Sequence, residues 1–260
     1  MLKQGIDLES ADNKIWLIDS NGLVTNDRIF DVDNDDYHKK MFAKNVPKTN
    51  DVLEIIDICR PTCLIGVSAV NGAFNQSILK RMAELNERPI IFALSNPNSK
   101  SECTAWEAIH YTDGRCIFAS GSPFDPVKYD GKTFITGQGN NVYVFPGIAL
   151  AIMSCQVEHI MDEIFLVAAE SLSELVSSEQ QTLENGNVYP PLMEINKVSL
   201  QLAIKITEWL FDNGHANYLP LPMNKYEFLM ERLYNPSYDQ WNFDEQIRQN
   251  YLAWRHPNNN

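Results

Sequence analysis

Four short apolar runs in the first half of the chain constrain its fold more than any other feature. Each run has four to six residues, shows no polar alternation and ends at small or polar residues; they are residues 15–18, 62–67, 90–94 and 116–119. Such runs are typical of strands that are buried on both faces, as in a parallel sheet with helical crossovers. The sequence therefore predicts an α/β fold built on a parallel sheet.

The residues that follow these runs indicate a binding site. Ser68 and Ala69 follow the second run, Ser95 and Asn96 follow the third, and Ser120 follows the fourth. The carboxyl ends of parallel strands meet at one edge of a sheet, where open α/β folds bind their ligands. One such residue could equally be an ordinary turn residue. A series of them favours a binding crevice at that edge.

The second half of the chain is predicted to be helical. Pro146 stands where a helix could begin, and the apolar residues after it cover most of a helical circumference, so this helix should be buried. Gly214 is a natural stop for the last long helix. An irregular tail follows it. In this half, helices are predicted at 146–155, 159–178 and 194–213. A further helix, at 75–84, is predicted between the second and third strands.

Charge and composition exclude several classes of protein. The formal net charge of −13 argues against a nucleic-acid partner, although a few local cations could still bind a small anion. No apolar stretch has the length of a membrane helix, and the first residues do not resemble a secretory signal. The five cysteines are scattered, without zinc-site spacing. We therefore expect a cytoplasmic protein with reduced thiols and without a membrane partner.

Two further features suit nucleotide and substrate binding. Asp19, at the end of the first run, fits a carboxylate that receives the adenosine ribose hydroxyls of a dinucleotide, although such a residue alone is a weak signal. The phosphate-binding glycine turn would lie earlier, where only about fourteen residues precede the run, so we expect it to be missing. In the segment 137–141, Asn140 and Asn141 offer adjacent amides for a carboxylate or hydroxyl. The alternative is a glycine-permitted turn.

Several longer strings carry a resemblance to a known family. They occur in a fixed order: KIWLIDSNGL (14–23), LIGVSAVNGAF (64–74), NERPIIFALSNP (86–97), ECTAWEA (102–108), FASGSPFDPV (118–127), GQGNNVYVFPGIALA (137–151), VYPPL (188–192) and YDQ (238–240). Together they resemble the malic enzymes of animals and plants, over residues 14 to 241. The resemblance implies oxidative decarboxylation of malate to pyruvate and CO₂, with reduction of NAD or NADP and a divalent Mg²⁺ or Mn²⁺ as Lewis acid.

The resemblance also implies roles for individual residues. Asn96 matches an amide that contacts both substrate and nicotinamide, Asn141 matches a substrate-contacting amide, and Asn140 is its neighbour on the cofactor side. Asp19 matches the ribose-binding acid. The remaining cofactor-binding positions implied by the family are Ser20, Arg28, Ser68, Ala69 and Ser95.

Cofactor choice follows from the same comparison. Ser20 and Arg28 match the NADP-preferring, cytosolic-like pattern, and Lys39 or Lys40 could supply a second positive charge. An acidic insertion at 31–36 leaves open which lysine does so. We expect NADP, with NAD as the alternative.

The family's metal-binding acids, lysine base, tyrosine acid and substrate-binding arginine all belong to upstream segments that nothing here matches. We therefore assign no catalytic or metal-binding residue, and expect the chain alone to be inactive. The implied fold is an incomplete Rossmann-like, doubly wound parallel sheet followed by an α-helical C-terminal region. The predicted parts are 1–140, a partial NAD(P)-binding domain; 141–213, helices that pack on a missing catalytic domain; and 214–260, a tail with subunit contacts in a homo-oligomer, a tetramer in the family.

Three hypotheses remain open at this point. The first is a part of a malic enzyme whose complete form is catalytic. The second is a non-catalytic remnant that binds intact malic enzyme subunits through its helices and tail. The third is half of a different hydroxy-acid dehydrogenase, which fits the strand pattern but neither the segment 137–141 nor the Ser-Asn-Pro motif at 95–97.

Overall fold

The structure, a computed structural model, describes residues 5–30, 35–177 and 186–233. In the first half the elements are α1 (Leu8–Asn13), β1 (Ile18–Asp19), β2 (Gly22–Leu23), a 3₁₀ segment (Asp35–Phe42), α2 (Val52–Cys59), β3 (Cys63–Gly66), α3 (Gln76–Leu85), β4 (Ile90–Ala93), a 3₁₀ turn (Asn98–Lys100), α4 (Ala105–Tyr111), β5 (Ile117–Ser120), β6 (Val127–Tyr129), β7 (Lys132–Phe134) and β8 (Gly137–Gln138). The second half contains a 3₁₀ turn (Asn141–Tyr143), α5 (Phe145–Cys155), α6 (Asp162–Ser177), a 3₁₀ turn (Leu192–Glu194), α7 (Ile195–Asp212) and α8 (Lys225–Met230).

A four-stranded parallel sheet in the order β3-β4-β5-β8 forms the centre of the first half. Ile91 pairs with Phe118 across β4 and β5, and both side chains are buried. Helices α3 and α4 cover the sheet with Leu79, Met82 and Ile109, which belong to the same apolar cluster. The parallel sheet predicted from the second, third and fourth apolar runs is confirmed.

Side chains fix the starts of the two helices that cover this sheet. Asn75 caps α3 by accepting a hydrogen bond from the backbone N–H of Ile78 at 3.1 Å, as the predicted helix start requires. Thr104 and Glu107 form a reciprocal capping box at the start of α4. These caps fix where each crossover helix leaves the strand-end loop before it.

The first apolar run does not form the predicted buried strand of the parallel sheet. Its last residue lies in β1, which pairs antiparallel with β2, and Ile18 is 40% exposed. The chain reverses immediately at Gly22, whose φ of +90° a side chain would rarely tolerate. After the turn, the N–H of Val24 donates to the carbonyl of Leu17 at 3.0 Å. The run therefore pairs with the chain that follows it, which its apolar length alone could not show.

Within the described chain, β3 is an edge strand of the sheet. Ile65 in this strand is 57% exposed, whereas Ile91 in the neighbouring β4 is buried. An apolar side chain left exposed on an edge is typical of a strand that lacks a neighbour or a cover. The observation agrees with the expectation that the doubly wound sheet is incomplete at this side.

The helices of the second half surround an apolar cluster of their own. Ile164 of α6 and Leu202, Ile206 and Leu210 of α7 are fully buried in it. The predicted helices are confirmed, and α7 ends as expected at Gly214, where two backbone hydrogen bonds to the last turn form a Schellman motif.

Helix α5 is buried on one side only, so the expectation that its whole apolar circumference is buried is wrong. Ile148 and Ala151 lie in the second cluster. Phe145, Ala149 and Met153, spaced four residues apart, are exposed, with Met153 at 78%. Because residues four apart share one side of a helix, α5 presents an exposed side that contains two large apolar residues.

The described part of the predicted tail packs on its own chain. Phe228 and Leu229 of α8 complete the second cluster, and the N–H groups of Asn217 and Tyr218 both donate to the carbonyl of Cys155. The rest of the tail, with the motif at 238–240, lies outside the described residues. Subunit contacts by this tail stay a prediction.

The two halves meet at β8. Tyr143 lies in the second cluster, donates from its hydroxyl to the carbonyl of Pro190, and stacks on Tyr189 at 5.2 Å between ring centroids. Tyr189 in turn lies so close to Gly137 that a Cβ on this glycine would come within 2.9 Å of the ring. The division of the chain into parts at residue 140 stays a prediction. None of the described helices is both long and apolar enough to cross a bilayer.

Replacement of Gly147 by alanine is expected to lower the free energy of unfolding by about 1–3 kcal/mol. A Cβ there would lie 2.7 Å from the Ser199 carbonyl oxygen of α7, and a backbone atom cannot rotate away. This clash outweighs the gain of about 1 kcal/mol in helix propensity. Urea unfolding would measure the change. The control, Ala149→Val on the exposed side of α5, should cost about 0.5 kcal/mol; equal stability of Gly147→Ala and the original chain would contradict the close helix contact.

Candidate functional site

The loops that follow the four parallel strands emerge side by side. The last residues of the strands are aligned across the sheet: Gly66 pairs with Ala93, Ala93 with Ser120, and Ser120 with Gln138. The predicted gathering of strand-end residues at the carboxyl edge of the sheet is therefore present. The predicted positions 68, 69, 95, 96, 140 and 141 all lie on these loops.

A buried carboxylate that sequence reasoning missed connects the loops after β3 and β4. Glu102, just before α4, is completely buried. Its Oε1 accepts hydrogen bonds from the Ser68 N–H at 2.9 Å, the Ser68 hydroxyl at 3.0 Å and the Ser95 hydroxyl at 2.6 Å. The side chain also occupies the space beside Gly66, where a Cβ would come within 2.5 Å of it. Glycine at this position therefore leaves room for the carboxylate.

The ionisation of Glu102 follows from these contacts. Burial by itself raises the pKa of this carboxyl, but the hydrogen bonds from Ser95 and Ser68 stabilise the charged form and hold the pKa below its ordinary value. The site thus contains a buried anion at neutral pH. The motif ECTAWEA contained this residue, but an acid before a helix is so common that its sequence gave no sign of burial.

The backbone at Ala69 is held in an unusual conformation by the same network. Its φ of +56° lies in the left-handed region, which non-glycine residues rarely adopt. The Ala69 N–H donates to the Ser95 hydroxyl oxygen at 2.8 Å, and that hydroxyl donates onward to Glu102. Ala69 and Ser68 are both exposed. The structure therefore brings the predicted residues Ser68, Ala69 and Ser95 into one hydrogen-bonded unit.

Asn96 is positioned by the neighbouring loop after β5. Its side-chain oxygen accepts a hydrogen bond from the Ser122 hydroxyl at 2.5 Å, and the residue is exposed at the sheet edge. A Cβ at Gly121 would lie 2.1 Å from the Leu94 carbonyl oxygen and 2.8 Å from the Asn96 oxygen. Glycine at 121 therefore allows the two loops to approach closely. This contact orients the Asn96 amide group.

The two amides of the segment 137–141 have different surroundings. The Asn140 side chain accepts a hydrogen bond from the Val142 N–H at 3.0 Å and so caps the 3₁₀ turn at Asn141–Tyr143. Asn141 is exposed at the junction of the two halves. The side-chain oxygen of Asn140 therefore has the role of a turn residue, which was the alternative to ligand binding. Binding of substrate by Asn141 stays a prediction.

Asp19 lies in a separate cluster on the β1–β2 hairpin. One of its oxygens accepts from Arg28 at 2.7 Å and from Lys39 at 2.8 Å, and the other accepts from the Asn21 N–H at 2.9 Å. Burial opposes ionisation, but the bonds from Arg28 and Lys39 hold the pKa of this carboxyl far below its usual range. Ser20 is exposed beside the cluster.

The geometry distinguishes the two lysines that the sequence left open. Lys39 contacts Asp19, whereas the ammonium group of Lys40 lies over the Tyr37 ring, 5.5 Å from its centroid. Arg28 and Lys39 thus place a guanidinium and an ammonium group on the single carboxylate of Asp19. This cluster is suited to an anionic group, in contrast to a carboxylate without cationic partners.

The described part of the chain contains neither a set of metal ligands nor a reactive thiol at these sites. No group of three or more His, Cys, Asp or Glu side chains there could hold a metal ion. The five cysteines are free thiols. Burial raises the pKa of the Cys116 thiol to about 11 and raises that of Cys103 as well, so both remain protonated and unreactive at neutral pH.

Comparison with known proteins agrees with this arrangement. Residues 1–211 match the family model described as malic enzyme, NAD binding domain. The chain is 47% identical over 243 residues to the human mitochondrial NADP-dependent malic enzyme, covering 93% of this chain and 39% of that protein. It is 48% identical over 241 residues to the NADP-dependent malic enzyme of Rattus norvegicus, covering 92% and 41%. It is 44% identical over 240 residues to the mitochondrial NAD-dependent malic enzyme of Ascaris suum, covering 92% and 36%.

A solved structure shows the same fold. The Entamoeba histolytica malic enzyme superposes with a TM-score of 0.66 at 21% identity, covering 91% of this chain and 44% of that one. The chain spans about two fifths of the length of its relatives. Because residues 1–211, more than half of the chain, match the model of this NAD-binding domain, the chain belongs to the malic enzyme family.

Proposed function

We propose that this chain is the dinucleotide-binding and part of the substrate-binding region of a malic enzyme. The reaction of the complete enzyme would be the oxidative decarboxylation of malate to pyruvate and CO₂, with reduction of NADP or NAD. The single observation that carries the proposal is the family match combined with one crevice edge, where Ala69 and Asn96 emerge on adjacent loops and Asn141 follows β8.

The residues at this edge suit the roles proposed for them. The Asn96 and Asn141 amides can donate to a carboxylate or hydroxyl of malate, and to the carboxamide of nicotinamide, without adding charge. The exposed, left-handed backbone at Ala69 brings the chain close to whatever occupies the edge. These residues bind and orient. Bound NADP or NAD would supply the hydride acceptor, and Mg²⁺ or Mn²⁺ would supply a Lewis acid for which the described residues provide no ligand set.

The Asp19 cluster supports NADP as the cofactor. A carboxylate at the end of this strand accepts ribose hydroxyls in many dinucleotide sites and repels a 2′-phosphate. Here Arg28 and Lys39 both pair with that carboxylate, which reduces its repulsion of a phosphate. The two cationic groups also attract a 2′-phosphate, which favours NADP over NAD. A cytoplasmic location and a homo-oligomeric state stay predictions.

Lys39→Ala is expected to weaken binding of adenosine 2′,5′-bisphosphate by about three- to tenfold, because the substitution removes one of the two cationic groups beside Asp19. Adenosine 5′-monophosphate, which lacks the 2′-phosphate, should bind the variant and the original chain alike. Calorimetric titration of both nucleotides would measure the difference. Lys40→Ala, one residue away, is the matched control and should change neither affinity.

Two results would contradict the assignment of NADP. One is equal affinity of the original chain for both nucleotides. The other is an equal loss in Lys39→Ala and Lys40→Ala, which would indicate a general charge effect instead of a contact at the Asp19 cluster.

The chain alone should not reduce NADP when malate and Mn²⁺ are present. The proposed residues bind and orient ligands, whereas the proton-transferring and metal-binding groups of the family lie in segments that this sequence does not match. Absorbance of NADPH would follow the reaction, with a complete malic enzyme as positive control. Turnover by the chain above background would show that the catalytic groups are present here after all.

A second candidate function, binding to intact malic enzyme subunits, is favoured by the exposed side of α5. Met153 and Phe145 on this side are large apolar residues that lie outside both apolar clusters of the described residues and are exposed. Burial of such residues is a common source of association energy.

If this candidate function is correct, the chain should co-elute with a complete malic enzyme in size-exclusion chromatography. Met153→Lys should abolish co-elution, because it places a charge within the apolar side of α5. Met193→Lys is the control, since Met193 is also exposed but lies in the 3₁₀ turn before α7. Failure of the original chain to co-elute would exclude this function.

A further inference from the structure

The loops proposed to receive the nicotinamide end of the cofactor share one buried negative charge. Glu102 receives its hydrogen bonds from the amide and hydroxyl of Ser68 and from the hydroxyl and amide of Ser95, the last at 3.4 Å. All of these donors are neutral. They stabilise the carboxylate, but they do not cancel its charge as a lysine or arginine would.

The hydrogen bonds also define the direction of the network. The Ser95 hydroxyl accepts from the Ala69 N–H and donates to Glu102, so its hydrogen points to the carboxylate. The carbonyl of Glu102 accepts from the Phe74 N–H at 2.9 Å, which ties the far end of the loop after β3 to the same residue. Ala69, in its left-handed conformation, is therefore held between the carboxylate network and the turn to α3.

A neutral side chain could connect these loops at a lower free-energy cost of burial. Burying a carboxylate among neutral partners is unfavourable, and a glutamine of the same shape would accept the serine hydroxyls. Holding the loops together therefore does not by itself explain why this residue is charged. The nicotinamide ring is cationic when oxidised and neutral when reduced, so a nearby buried anion stabilises the oxidised form selectively.

We propose that Glu102 is a positioning residue of the nicotinamide site, which holds the loops after β3 and β4 through Ser68 and Ser95 and whose charge favours oxidised over reduced cofactor. This inference deepens the proposed function and rests on it. In this proposal, the site prefers the oxidised cofactor, which must bind before malate can be oxidised. Glu102 sets this preference without contacting the cofactor.

The test compares affinities for NADP⁺ and NADPH in the full 260-residue chain. NADPH binding is followed by its fluorescence, and NADP⁺ binding by displacement of NADPH. Glu102→Gln should weaken NADP⁺ binding by roughly three- to tenfold more than NADPH binding, since only the oxidised ring loses an attraction. A merely structural role would weaken both forms by the same factor.

Two further variants separate charge from position. Glu107→Gln removes a nearby carboxylate and retains the capping box at α4, because glutamine also serves at this position. It should leave both affinities unchanged. Ser95→Ala keeps the Glu102 side chain and its two hydrogen bonds from Ser68, but removes the hydroxyl that links it to Ala69. It should weaken NADP⁺ and NADPH by similar factors.

The possible results separate dinucleotide binding, the charge preference and the positioning role of Glu102. If the original chain binds neither cofactor form, the proposed function fails and this inference fails with it. If the original chain binds both and Glu102→Gln weakens them equally, dinucleotide binding stands and the charge preference is overturned. If thermal melting shows that Glu102→Gln does not fold, Ser95→Ala decides the positioning role, and unchanged binding in that variant overturns it.

Discussion

A carboxylate buried away from water connects the loops that follow β3 and β4 at the carboxyl edge of the sheet. Glu102 is buried between loops that follow different strands, and neutral donors from Ser68 and Ser95 keep it ionised. Because a buried charge is costly unless its hydrogen bonds are made, the loops can move apart only if these bonds break. The absence of a side chain at Gly66 is part of the same arrangement, since a Cβ would displace the carboxylate.

Glycines also allow other segments of the chain to lie close together around the site. Gly121 lets the loop after β5 lie against the loop that carries Asn96, and Gly147 lets α5 lie against α7. Tyr189 lies against Gly137 and stacks on Tyr143, so the helical half is anchored at the strand beside Asn140 and Asn141. The carboxyl edge of the sheet thus contacts both apolar clusters, and Asn141 lies where the two halves join.

The charge balance of the hairpin differs from that of the sheet edge. Asp19 is paired with Arg28 and Lys39, whereas Glu102 has neutral partners only among the contacts that the structure shows. The first carboxylate has cationic partners, and the second keeps its negative charge. In the proposed function, the cations suit the anionic 2′-phosphate of the oxidised cofactor, and the buried anion suits its cationic nicotinamide ring.

The sequence by itself determined the family, through its ordered motifs. It also determined strands β3, β4 and β5 and helices α3, α5, α6 and α7, because apolar runs, caps such as Asn75 and stops such as Gly214 act locally. It could not determine that residues 15–18 enter a hairpin, since an apolar run does not specify its partner strand. Nor could it distinguish Lys39 from Lys40, or show that Glu102 is buried. The last two features depend on contacts between residues far apart in the chain, such as Ser68 with Glu102, which only the tertiary structure brings together.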